Sequence, residues 1–122
     1  MRLVIHYVGD IHQPLHNSAL VSKEYPKGDA GGNAIKITNS KNGVNNLHKL
    51  YDSVIYKYTG YVTLPLSESK WNYLKNETNT LTANYPISDD EIKPDDFKAW
   101  SDEGFSRAKD IVYVNFNGDE IS

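Results

Sequence analysis

The chain contains no cysteine and a single methionine. Without cysteine, disulfides and thiolate zinc sites are excluded, so any metal must rest on histidine and carboxylate ligands. The same absence leaves the redox compartment unread. No apolar run approaches the ~20 residues of a membrane-spanning helix, and no membrane partner is expected. The opening "MRLVIHYVGD" lacks the long uninterrupted apolar stretch of a signal peptide. A basic surplus is missing too: 13 Lys and Arg stand against 16 Asp and Glu, a formal net charge of -3. That balance argues against a partner held mainly by Lys and Arg neutralising phosphates. If phosphate is handled, the compensating positive charge comes from another source. Low-complexity tracts and repeats of solenoid period are also absent.

What is present describes a globular chain. Its 122 residues suit one domain, residues 1–122, with a modest core, and 39% hydrophobic with 24% charged residues is not a disordered composition. From Leu3 to about His12, apolar residues at Leu3, Val4, Tyr7, Val8 and Ile11 recur at three- and four-residue steps, which predicts an amphipathic helix ending at Pro14. Loop chemistry follows from Asn17 to Asn46, with "AIKIT" at residues 34–38 reading as a short strand before the turn "NSKNG". A second helix is predicted from Leu47 to Thr59, with Asn46 as N-cap and Gly60 as stop. The Asn- and Thr-rich "SKWNYLKNETNTL" leaves its conformation open, and its "NET" triplet at Asn76 is a glycosylation sequon. A third helix is expected to begin near Phe97 after acidic residues that suit its dipole. Phe97, Trp100, Gly104, Ala108, Ile111 and Val112 would form its buried face.

The chemistry concentrates in "HYVGDIHQPLH", residues 6–16, which holds three of the four histidines. His6 and Asp10 are four apart, so a helix stacks imidazole and carboxylate on one face, where both can close on one metal ion. The spacing recurs at His48 and Asp52 on the second predicted helix. His16 lies beyond Pro14, where a turn can swing its ring toward a second ion, and His12 is the remaining candidate. An isolated His-x-x-x-Asp is more often a surface ion pair, but two such pairs with every histidine in or beside them weaken that reading. Imidazole and carboxylate without thiolate suit catalytic zinc with an open position for water. "GDAGGN", residues 28–33, reads as turn glycines with ordinary Asp and Asn turn residues. The sharper alternative is that Gly31 and Gly32 admit a ligand close to the backbone while Asn33 hydrogen-bonds it. Trp100 and Phe97 fit core packing at helical spacing better than base stacking.

Taken in order, "HYVGDIHQPLH", "GDAGGN" and "NLHKLYD" resemble the class I zinc-dependent nucleases, the S1/P1 type also called 3'-nucleotidases. A weaker echo is "AWSDEGFSRAKDIVY", so the resemblance spans residues 4 to about 113. It implies a mainly α fold of the zinc phospholipase C and single-strand nuclease type, with a metal cleft and a β excursion near residues 34–38. It also implies Zn2+ as cofactor, three ions in the full enzyme, and metal-assisted hydrolysis of single-stranded DNA and RNA to 5'-nucleotides. By the same resemblance, His6 corresponds to a ligand of one ion of a close pair and Asp10 to the carboxylate bridging that pair. His16, His48 and Asp52 correspond to the complete protein ligand set of the remaining ion. Gly31, Gly32 and Asn33 match the nucleotide-binding loop, and His12 is not a zinc ligand of the family. Tyr51 stands where many relatives carry Trp.

The resemblance also implies features with no counterpart here: an N-terminal Trp and further His and Asp ligands upstream, the general-base Asp, and the aromatic that stacks the base. The chain is therefore expected to be an internal piece of such a nuclease, with one complete metal site at most and with apolar faces exposed to self-association. A secreted or endomembrane compartment is implied by the family alone. The alternatives are a zinc phospholipase C-like phosphodiesterase and an inactive metal-binding or structural fragment.

Overall fold

The computed structural model describes residues 2–39, 41–55, 63–89 and 96–114. The chain divides into two compact units, one from Met1–Thr59 with Asp96–Ser122 and one from Gly60–Asp95. Among the described residues the structure is helical, with no strand. In the first unit, α1 spans Arg2–Ile11, a 3-10 turn spans Pro14–His16, and α2 spans Leu47–Asp52. In the second unit α3 spans Glu68–Asn84, and the first unit is completed by α4, Phe97–Arg107. A widened π-type turn, Ala108–Val112, continues α4. No described helix is long and apolar enough to cross a membrane.

α1 ends where its sequence says it must. Pro14 has no N–H to continue the ladder, and Gln13 before it is extended. The freed carbonyl of Ile11 accepts a hydrogen bond from Asn17 Nδ2 at 2.7 Å, and Asn17 Oδ1 accepts one from Ser101 Oγ of α4 at 2.9 Å. Gly104 of α4 has to be glycine there, because a Cβ would collide with the Asn17 carboxamide. One asparagine thus closes α1 and fixes the helix that packs on it. The apolar stripe of α1 is buried less than its periodicity predicts: Leu3, Val4 and Tyr7 are more than 60% exposed, while Val8 and Ile11 are half-buried. The core lies instead around the loop, where Leu15, Ile35, Leu47 and Val112 meet.

Three other sequence expectations change. The strand at residues 34–38 reduces to an isolated antiparallel bridge between Lys36 and Asn46. Asn46 is already the N-cap of α2, accepting from Lys49 N at 2.8 Å, so the partner segment turns helical before a ladder can form. α2 stops at Asp52, not Thr59. The Ile55 N–H bonds to Leu50 O at 2.9 Å and the Val54 N–H to Tyr51 O at 3.0 Å, the pattern of a Schellman closure. Here it is built on left-handed Val54 and Ile55, at φ 49° and 53°. No glycine marked it, and Gly60 lies outside the described residues. On α4, Asp96 caps the first turn by accepting from Lys98 N and Ala99 N, and Gly104, Ala108 and Val112 are buried as expected. Phe97 and Ile111 are exposed instead. The wider π turn brings Val112 rather than Ile111 back over Ala108.

The open question of residues 68–84 resolves as α3. Ser67 caps it by accepting from Lys70 N, and the threonines that weaken its helical reading bond back along it. Thr78, Thr80 and Thr82 hydroxyls donate to the carbonyls of Leu74, Asn76 and Thr78 at 2.9–3.0 Å.

Candidate metal centre

The turn after α1 builds one side of the centre. Gln13 Oε1 accepts from Leu15 N at 2.5 Å, which, with Pro14 at the first helical position, winds the short 3-10 turn. His16 thereby swings back toward Asp10, its Nδ1 standing 3.8 Å from Asp10 Oδ1. On α1, His6 Nε2 lies 3.2 Å from Asp10 Oδ2. α2 supplies the other side, with His48 and Asp52 one turn apart and His48 Nε2 at 3.5 Å from Asp52 Oδ2. The His16 and His48 rings stack at 4.9 Å with 21° between their planes, and their Nε2 atoms are 3.2 Å apart. A cleft of about 510 Å³ opens over this arrangement, lined by His6, Asp10, Gln13, His16, Tyr51 and Asp52 among others.

One ligand atom from each of His16, His48 and Asp52 lies within 4.8 Å of the other two. His16 Nε2 to Asp52 Oδ1 is 3.6 Å and His48 Nε2 to Asp52 Oδ2 is 3.5 Å, longer than a charge-assisted hydrogen bond of about 2.7–2.9 Å. A tetrahedral zinc with bonds of about 2.0–2.2 Å separates its ligands by roughly 3.3–3.5 Å. The two Nε2 atoms, 3.2 Å apart, stand at the short edge of that range, and each faces a different oxygen of Asp52, at 3.6 and 3.5 Å, so the donor set could hold such an ion with a small turn of the Asp52 carboxylate.

Neighbouring groups orient two of these side chains. Gln13 Nε2 donates to Asp52 Oδ1 at 2.9 Å. The Gly31 carbonyl accepts from His48 Nδ1 at 2.8 Å. Partners of this kind fix ring orientation and tautomer in metal sites. Gly31 and Gly32 are buried, and the close approach they permit is to the chain itself. A Cβ on Gly31 would stand 2.5 Å from Leu15 O, and one on Gly32 would stand 3.2 Å from His48 N. Asn33 is exposed, giving one N–H to Ala30 O at 2.9 Å. His12 is set apart from the cluster, donating from Nδ1 to Val8 O and lying against Trp100 with ring centroids 5.1 Å apart.

Sequence reasoning missed Gln13, Asp29 and Tyr113. Gln13 carried a signal in its place before Pro14, whereas the pairing of Asp29 with Tyr113 had none. The Tyr113 hydroxyl donates to Asp29 Oδ2 at 2.8 Å. Burial, reinforced by the hydrogen bond to Asp29 and its charge, raises the Tyr113 phenol well above the ordinary tyrosine range, and burial pushes Tyr51 the same way. A raised folded-state value means that the native chain keeps a proton which the unfolded chain releases above about pH 10. Stability is therefore expected to fall as pH rises past 10. Urea unfolding at pH 8 and pH 11 checks this, and the fall should be smaller in Tyr113→Phe.

The first unit is helical and gathers imidazole and carboxylate side chains beside a cleft, an arrangement that could hold a metal ion. Comparison with known sequences places it further: the profile of the S1/P1 nuclease family matches residues 1–122, and the chain belongs to that family. It is 46% identical over 50 residues to Endonuclease 3 of Arabidopsis thaliana, covering 41% of this chain and 14% of that protein. Endonuclease 5 of the same plant matches to the same extent. Nuclease S1 of Aspergillus oryzae is 40% identical over 53 residues, 43% of this chain and 15% of that protein. The matched stretch thus covers about a seventh of these relatives' length. No solved structure matches the chain.

Proposed function

We propose that residues 1–122 are the central, zinc-holding part of a nuclease domain that hydrolyses phosphodiester bonds of single-stranded DNA and RNA to 5'-nucleotides and also acts as a 3'-nucleotidase. The observation carrying this reading is the convergence of His16, His48 and Asp52, one ligand atom of each lying within 4.8 Å of the other two. Those three residues hold the ion. Asp10, between His6 and His16, is the carboxylate through which His6 joins the centre. The bound ion supplies Lewis-acid polarisation of a phosphate oxygen and the local positive charge that a chain of net charge -3 lacks. A secreted or lumenal setting accords with the exposed Asn76 of the sequon on α3.

Asn33 gives the reading its preference for single strands. Its exposed carboxamide retains an acceptor and a second N–H for a base edge, and a base can reach it only after leaving the stack, which a duplex opposes by a few kcal/mol. Asn33→Ala should weaken nucleotide binding while leaving zinc content intact; loss of zinc would overturn the assignment. The whole reading is tested by titrating the full chain with labelled oligonucleotides, with zinc and with EDTA. Zinc-dependent binding that favours single strands is expected. Equal binding in EDTA, or turnover of phosphatidylcholine in its place, would contradict it. The exposed apolar side of α1 is expected to drive concentration-dependent association, visible by light scattering, and a clean monomer at all concentrations would count against that.

A further inference from the structure

Asp29 is the largest fully buried side chain among the described residues, and a carboxylate in such a place is costly unless donors surround it. Its Oδ1 accepts from Leu20 N at 2.9 Å, and its Oδ2 accepts from Gly32 N at 2.9 Å and from the Tyr113 hydroxyl at 2.8 Å. All three partners donate. The position needs a group that accepts on both oxygens, which a carboxylate does and an asparagine amide does not.

This clamp supports a strained backbone run whose own bonds are Ala34 N to Asp29 O at 2.9 Å and the longer Asn33 N to Ala30 O at 3.3 Å. Ala30, Gly31 and Gly32 follow one another in the left-handed region, at φ 55°, 61° and 83°, and an L-residue enters that region only against steric resistance. The Asp29 to Gly32 hydrogen bond closes the turn, and Tyr113, 84 positions along the chain, holds the carboxylate from the other side. The turn presents the Gly31 carbonyl to His48 Nδ1 at 2.8 Å and the Gly32 carbonyl to His48 N at 3.3 Å. A carbonyl only accepts, so the His48 ring must carry a proton on Nδ1. In the neutral ring that leaves the Nε2 lone pair aimed at His16 and Asp52.

We propose that Asp29 and Tyr113 are positioning residues of the metal centre: Tyr113 anchors Asp29, Asp29 shapes the Ala30–Gly32 turn, and the Gly31 carbonyl holds His48 in the tautomer that presents Nε2. The inference rests on the reading of His16, His48 and Asp52 as a metal site and adds the residues that hold that site ready. It is tested by long-range proton–nitrogen NMR of the imidazoles in the metal-free full chain, for wild type, Tyr113→Phe and Asp29→Asn. Wild-type His48 should be the Nδ1–H tautomer. Both variants should show a mixture with Nε2–H, and in the same samples cobalt(II) affinity should drop about 10-fold. A lower melting temperature with the His48 tautomer unchanged would overturn the proposal, because it would reduce Asp29 and Tyr113 to stabilising contacts. Tyr113→Phe keeps the ring in place and reads the same link if Asp29→Asn does not fold. A wild-type chain that takes up no cobalt would sink the metal reading, while the tautomer comparison would still decide the positioning role.

Discussion

Replacing His48 with alanine is expected to abolish tight zinc binding while leaving the fold in place. In the proposed site His48 supplies one of three ligand atoms, and its loss leaves His16 and Asp52, 3.6 Å apart, as the remaining two of the set. Losing a partner of a ligand typically costs 10–100-fold in metal affinity, so losing the ligand itself should exceed about 100-fold. The fold should tolerate the change because the ring is anchored mainly by its hydrogen bond to Gly31 O, a contribution of about 1 kcal/mol. Isothermal titration with zinc, paired with a urea melt of the metal-free protein, separates the two effects. Equal zinc affinity in the variant would mean that the ion sits elsewhere.

Gly31→Ala is expected to be the most damaging conservative change in the loop. Its Cβ would approach Leu15 O to 2.5 Å at a backbone φ of 61°, and the obstructing atom is main chain, which cannot rotate away. A clash of that kind with a disfavoured φ should destabilise the chain by about 2–3 kcal/mol. Zinc affinity should drop as well, since the carbonyl that must move is the one bonded to His48 Nδ1. Denaturation and zinc titration of the same variant test both parts. Wild-type stability would show that the turn has room for a side chain. By contrast, Gly43 has open space around its Cβ position, so substitution there should leave zinc affinity unchanged.

These expectations divide the molecule into what its sequence announces and what it does not. Local signals carried α1, the Asn46 cap and the start of α4 at Phe97, because each depends on residues within a turn of one another. The His48 and Asp52 pairing was legible for the same reason, being one helical turn. His16 was placed beyond the helix by Pro14, and the motif order allowed its partnership with α2 to be expected through family resemblance. Illegible were features decided by distant packing. The early stop of α2 uses left-handed Val54 and Ile55, which no propensity favours. Ile111 faces solvent because a π turn resets the register. Asp29 looked like an ordinary turn residue until Tyr113, far along the chain, closed its hydrogen bonds.

The central claim is that His16, His48 and Asp52 together hold one ion. Zinc K-edge X-ray absorption on the zinc-loaded full chain tests it most directly, since back-scattering from imidazole rings is distinct from that of carboxylate or water. The account predicts a zinc bound by two imidazoles at about 2.0–2.1 Å, with oxygen ligands completing the shell. A zinc carrying one imidazole or none, or a chain that retains no zinc after dialysis, would contradict it.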